Sequence, residues 1–168
     1  MSRRLAQGLR AQTAVVAFGA NLGDRAATIA AAAVELRALP LVDDVRIAAP
    51  ISSIALTPAG PDADAPAYLN TVAIVRTRLA PSVLLACLHD IERRHGRVRA
   101  ERWGDRTLDL DLIAYGEVRS DADRLTLPHP RAAERDFVLR PWLALDPEAE
   151  LPGAGRVSRL LADLETTR

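Results

Sequence analysis

A chain of 168 residues whose 22 cationic and 22 acidic side chains cancel has room for one buried core, and it sets up no global field to recruit nucleic acid or a membrane. Every one of those cations is arginine, so a P-loop or protein-kinase lysine is excluded and any phosphate chemistry has to run on arginine and metal. Cys87 stands alone, which excludes an internal disulfide framework and reads as a small buried hydrophobe. No apolar run reaches the ~18 residues of a membrane span, and M-S-R-R-L-A-Q-G-L-R is followed by no apolar signal core. The expectation is a cytoplasmic protein with a loose extension over residues 1–12 and a single domain over 13–168.

Thr13 to Gly19 is a compact apolar run that reads as a first, largely buried strand. It feeds G-A-N-L-G-D-R, where Asp24 can cap a helix carrying Ile29, Ala33 and Leu36 at helical spacing before Pro40 closes it. Val45 to Ser53 is compatible with a second strand that Pro50 breaks or confines to an edge. Thr57 to Ala67, with three prolines, is a long loop of the kind that is usually a functional lid or unstructured. Tyr68 to Arg78 predicts a third strand whose parity puts Tyr68 and Asn70 on one face. Such a pair can hold a planar heterocycle by stacking and hydrogen bonding, although a core-edge tyrosine and a loop-capping asparagine read the same way. Pro81 opens a second helix with Leu84, Leu88 and Ile91 as its buried stripe, and Gly96 ends it.

Glu101 to Tyr115, E-R-W-G-D-R-T-L-D-L-D-L-I-A-Y, carries the densest chemistry. In a strand over its second half, Leu108, Leu110 and Leu112 share one face and Asp109 and Asp111 the other. Two carboxylates so placed repel by several tenths to about 1 kcal/mol even in high dielectric unless a cation lies between them. Mg²⁺ suits such a pair, because it takes one or two carboxylates, waters and phosphate oxygens. Alternation alone is equally served by a half-buried strand with its polar face in water. The neighbourhood argues for more: between residues 92 and 106 six arginines stand against three carboxylates, and a local basic loop around Trp103 next to a dicarboxylate strand reads as a metal–polyphosphate site.

The order strand, helix, strand, strand, helix, strand predicts an α+β, ferredoxin-like βαββαβ sandwich, with an antiparallel sheet covered by helices on one face and open to substrate on the other. Beyond Gly116 the pattern thins. Arg124 to Leu127 reads as a short strand, L-P-H-P displays His129 between two prolines, Phe137 to Leu145 is an apolar run, and Val157 to Leu164 fits a last helix.

G-A-N-L-G-D-R, T-P…P-A-Y-L-N, E-R-R-H-G-R-V-R, E-R-W-G-D-R-T-L-D-L-D-L and L-P-H-P…F-V-L-R-P together resemble, in order, the 6-hydroxymethyl-7,8-dihydropterin pyrophosphokinases of folate synthesis. The resemblance runs from about Val15 to Pro152. It implies transfer of pyrophosphate from ATP to the pterin hydroxymethyl group with release of AMP, and two Mg²⁺ ions on Asp109 and Asp111. It also implies action of Arg97 and Arg106 on the phosphates. The pterin pocket it implies comprises Thr57, Pro58, Tyr68, Asn70, Trp103 and Phe137, and the ATP site Glu92, Arg99, Arg102, Arg124, Thr126 and His129. Its substrates are small molecules, and a monomer bound to neither nucleic acid nor membrane is expected. The alternatives are another metal-dependent nucleotidyl or phosphoryl transferase sharing the aspartates, or a ferredoxin-like ligand- or RNA-binding module. An RNA-binding sheet would display exposed aromatics where this strand carries two carboxylates.

Overall fold

A computed structural model describes residues 10–57, 59–96 and 107–167. The chain runs β1 (Gln12–Ala20), α1 (Arg25–Arg37), β2 (Val42–Ile47), β3 (Ile51–Ser53), β4 (Ala55–Thr57), β5 (Gly60–Asp62), β6 (Tyr68–Thr77), α2 (Pro81–Arg94), β7 (Asp109–Tyr115), β8 (Ser120–Ala122) and β9 (Leu125–Leu127). It ends with α3 (Asp136–Leu145), β10 (Glu150–Leu151), β11 (Gly155–Arg156) and α4 (Val157–Thr167). The main sheet is antiparallel in the order β2-β6-β1-β7, with β3 extending the β2 side of β6. That is the strand order a split βαβ pair generates, with α1 and α2 on one face.

Local chemistry sets the elements. Asp24 accepts from Ala27 N at 3.0 Å and starts α1, and Pro81 occupies the first turn of α2, where a missing N–H costs nothing. Pro50 falls in the gap between β2 and β3, as the sequence requires. The segment read as a loop after Thr57 contains more order than expected, because β4 and β5 pair into a small hairpin.

Two cores lie on opposite faces of the sheet. Under α1 and α2, Val16, Phe18, Ala73, Val75, Leu108, Leu110 and Leu112 pack against Ile29, Leu36, Leu84, Leu88 and Ile91. The leucine face of β7 thus points to the helices, as its alternation predicts. On the other face Val15, Val72, Ile74 and Ile113 meet Val138, Leu139, Trp142 and Val157. That face is therefore open at one end only, because the apolar stripes of α3 and α4 need a surface to bury against.

The alternation along β7 breaks once. Val15 pairs with Ala114 and Val16 with Leu112, so Ile113 forms a bulge. Ile113 and Ala114 both belong to the second core. Tyr115 then turns back towards the helices, where its hydroxyl donates to Leu79 O at 2.6 Å. A bulge adds one residue to one strand and reverses parity beyond it.

Glu92 pins β7 from beneath: it is 1% exposed and its Oε1 accepts from Leu110 N at 2.8 Å. Leu110 lies between the two aspartates, so this bond fixes the backbone that carries both. Replacing Glu92 by Ala leaves a buried N–H without that acceptor. We expect a loss of about 1–3 kcal/mol in denaturant unfolding, with Glu92→Gln recovering most of it because an acceptor oxygen remains.

Glu35 of α1 ties down the end of α2, accepting from Arg94 Nε at 2.7 Å and lying 2.6 Å from His95 Nε2. Burial pushes the Glu35 carboxyl up, but Arg94 and His95 together hold it below the ordinary glutamate value of 4.5. A carboxylate whose folded value is depressed stabilises the fold above its unfolded value and loses that contribution as pH falls through the folded one. Melting curves of wild type and Glu35→Gln should therefore differ most near neutrality and converge as pH drops below about 4.5.

Candidate active site at the open end of the sheet

The uncovered end of the second face is assembled from three neighbouring strands. Gly19 of β1 pairs with Asn70 of β6 on one side and with Asp109 of β7 on the other. Residues paired across a ladder point to the same face, so Asn70, Gly19 and Asp109 form one row about 10 Å from end to end, two strand spacings. In the next row along that face Ala17 stands between Val72 and Asp111. The centre of the floor is thus glycine and alanine, with a carboxamide on one edge and two carboxylates on the other.

Asn70 is buried and its Nδ2 donates to Ser53 Oγ at 2.6 Å. Its Oδ1 leans over the floor, 3.3 Å from where a Cβ on Gly19 would stand, and Tyr68 Cδ1 lies 3.8 Å from the same point. Tyr68 is half-buried beside it. The strand start is braced by Arg25, whose Nη1 donates to Ala67 O. This explains why G-A-N-L-G-D-R and P-A-Y-L-N, distant in sequence, serve one place.

On the carboxylate side, Asp111 Oδ2 is 3.2 Å from Arg135 Nη1 and 3.9 Å from His129 Nε2. Burial raises the Asp111 carboxyl above the ordinary range, and the charge of Asp109 pushes the same way; His129 and Arg135 pull it back without cancelling the rise. A divalent cation between the aspartates would reverse that direction. His129 reaches this position through the bulge, because its backbone N donates to Ile113 O at 2.8 Å. Its Nδ1 accepts from Arg131 N at 3.2 Å, which assigns the ring proton to Nε2, the nitrogen facing Asp111. Burial lowers the His129 pKa, Asp111 opposing and Arg135 reinforcing that shift.

Phe137, on the first turn of α3, is half-buried at the border of the second core, and the Arg135 guanidinium lies 5.8 Å from its ring centroid. Tyr68, Asn70, Asp109, Asp111, His129 and Phe137 thus gather at the end of the face that α3 and α4 leave uncovered. Other expected site residues are carried by other elements. Thr57 pairs with Gly60 in the β4–β5 hairpin. Arg124 and Thr126 are exposed on the β8–β9 hairpin, which leads into the His129 turn. Glu92, expected to face ATP, points instead into the protein and acts on the site through β7. Pro58, Arg97, Arg99, Arg102, Trp103 and Arg106 lie outside the described residues.

Three contributors were not read from the sequence: Gly19 as the floor, Ser53 as the partner of Asn70, and Arg135 as the partner of Asp111. The need for a counter-ion near two carboxylates was a usable signal for an arginine, but nothing in A-A-E-R-D-F marks Arg135 above its neighbours.

Among the described residues no group of three or more His, Cys, Asp or Glu side chains is placed to hold a metal. A two-carboxylate oxygen site fits Mg²⁺ accompanied by phosphate and water, and it fits poorly a metal needing a full set of nitrogen or sulfur ligands.

Known proteins share this architecture and resemble the chain in sequence. The family model of 7,8-dihydro-6-hydroxymethylpterin-pyrophosphokinase (HPPK) matches residues 15–147. A 2-amino-4-hydroxy-6-hydroxymethyldihydropteridine pyrophosphokinase of Pseudomonas aeruginosa is 42% identical over 151 residues, covering 90% of this chain and 91% of that protein. The protein of the same name from Mycobacterium leprae is 41% identical, with 91% and 83% covered. In fold the chain is similar to an HPPK-DHPS crystal structure in complex with substrates, with a TM-score of 0.64 at 12% identity, covering 94% of this chain and 44% of that longer one. A sheet whose glycine floor joins a carboxamide to paired aspartates, and a family match that spans all of these residues, lead to one conclusion: the chain belongs to the 7,8-dihydro-6-hydroxymethylpterin-pyrophosphokinase family.

Proposed function

We propose that this protein transfers the terminal pyrophosphoryl group of ATP to the hydroxymethyl oxygen of 6-hydroxymethyl-7,8-dihydropterin, releasing AMP, in the synthesis of folate. The observation that carries this reading is the row Asn70–Gly19–Asp109. A flat bicyclic heterocycle laid across Gly19 presents its hydrogen-bonding edge to the Asn70 carboxamide and its hydroxymethyl arm to the aspartates. Tyr68 and Phe137 supply aromatic surface at the rim, and the resemblance to the family assigns Thr57, Pro58 and Trp103 to the same pocket.

In the reaction the hydroxyl oxygen bonds to the β-phosphorus of ATP while the bond from that phosphorus to the α–β bridging oxygen breaks. AMP departs with that oxygen, and the hydroxyl proton passes to solvent. Asp109 and Asp111 would hold Mg²⁺, two ions on the family pattern, which would neutralise charge on the phosphate oxygens and make the pterin hydroxyl more acidic. The protein's own work is alignment: Asn70 fixes the heterocycle, β7 fixes the carboxylates, and Glu92 fixes β7. Arg97, Arg99, Arg102 and Arg106 supply the cations that phosphates require in a chain without lysine, with His129, Arg124 and Thr126 lining the nucleotide side. A cytoplasmic monomer accords with small-molecule substrates on both sides.

The decisive experiment measures AMP formed from ATP and Mg²⁺ with and without the pterin, in wild type and Asp109→Ala. Pterin-dependent AMP is expected in the wild type, with kcat falling at least about 10²-fold in the variant. ADP as product, or AMP formation indifferent to the pterin, would overturn the reading. A second measurement tests the floor. The Cβ of Gly19→Ala would crowd an Asn70 that Ser53 already holds, so KM for the pterin should rise about tenfold while KM for ATP changes little.

A further inference from the structure

Arg135 has no part in the family resemblance drawn from the sequence, yet among the described residues it comes nearer to Asp111 than His129 does. Its backbone carbonyl accepts from Val138 N at 2.9 Å and Leu139 N at 3.0 Å, so the residue opens α3 just ahead of two side chains buried in the second core. Its side chain is 21% exposed. The guanidinium meets Asp111 Oδ2 at 3.2 Å and the Phe137 ring at 5.8 Å. A guanidinium keeps its charge at any working pH and stacks on aromatic faces. It therefore neutralises Asp111 through a carboxylate oxygen that a metal would also need.

We propose that Arg135 is a positioning residue that acts as the built-in counter-ion of Asp111, occupying Oδ2 until a divalent cation displaces it. This rests on the reading that Asp109 and Asp111 hold metal. Two consequences follow. The pair is held in place without metal, its repulsion offset by a fixed positive charge. A lone metal ion binds weakly because it must displace the guanidinium, so metal is favoured when it arrives already bound to the polyphosphate. The released guanidinium stays beside Phe137, on the pterin side, so metal entry is coupled to the pocket where the second substrate lies.

The test is Mn²⁺ binding to the full chain without nucleotide, read by the EPR signal of free Mn²⁺, in wild type, Arg135→Gln, Arg135→Lys, Asp111→Asn and the Asp111→Asn/Arg135→Gln double variant. If the guanidinium occupies the oxygen about nine-tenths of the time, its removal tightens Mn²⁺ binding about tenfold. The Arg135→Gln effect should vanish in the Asp111→Asn background, which isolates the pairwise interaction. Arg135→Lys, which keeps the charge but loses the planar fork, should tighten binding by a smaller factor, and it serves as the second probe should Arg135→Gln fail to fold. A purely structural residue would leave affinity unchanged or weaken it. Unchanged or weaker binding in both Arg135 variants, with Asp111→Asn still impaired, overturns the counter-ion role and leaves the metal site standing. Mn²⁺ affinity untouched by Asp111→Asn overturns the metal site, and this proposal with it.

Discussion

One strand has to satisfy two incompatible environments. The leucines of β7 are needed inside, beneath α1 and α2, and its aspartates are needed outside, where their repulsion can be relieved by a cation. The period of two residues in a strand makes this possible only if the register is fixed, since a slip by one residue would bury two carboxylates and expose Leu110 and Leu112. The rest of the molecule is arranged to prevent that slip. The central strand β1 pairs along β7, and the Glu92 carboxylate holds the amide between the two aspartates. The leucine face contributes on the order of 2 kcal/mol for each fully buried side chain.

The second face shows how packing and chemistry share a surface. Along the same strands the side chains pass from Asn70 to Val72 and Ile74, from Gly19 to Ala17 and Val15, and from Asp111 to Ile113. The apolar end is roofed by α3 and α4, and the polar end lies beyond that roof. The roof does more than seal the core. Its leading edge carries Arg135 and Phe137, so the helix that closes the apolar half also borders the polar half.

The strands, helices and leucine face of β7 were legible because they depend on near-neighbour rules: alternation, helical spacing, and proline or aspartate at helix starts. The pairing of Asp109 with Asp111, and of Tyr68 with Asn70, was legible for the same reason, as each pair lies two residues apart on one strand. The roof over the second face was not, since an apolar run such as Phe137 to Leu145 states that it must be buried but not against what. Arg135 and Ser53 were invisible because their partners lie across the fold. The bond from Leu110 N to Glu92 was not legible, because a carboxylate on α2 gives no sequence sign of pointing inward, where a backbone amide replaces water as its donor. The hairpin after Thr57 was missed because β-turn chemistry in a proline-rich segment resembles irregular chain.

The bulge at Ile113 bears on how such a protein can change over evolutionary time. It divides β7 into two lengths in opposite phase. The first is indexed to the floor of the site by Gly19 and Ala17, and the second to the hydrophobic interior by Tyr115 and Leu79. Because the phase is reset between them, the packing half can adapt without rotating the carboxylates off their face. Conversely, a length change upstream of Ile113 would disturb every charged group at once. The strand is therefore built in two parts: a stretch around Asp109 and Asp111 where an insertion would turn the carboxylates off their face, and a stretch beyond it whose phase is set by the core.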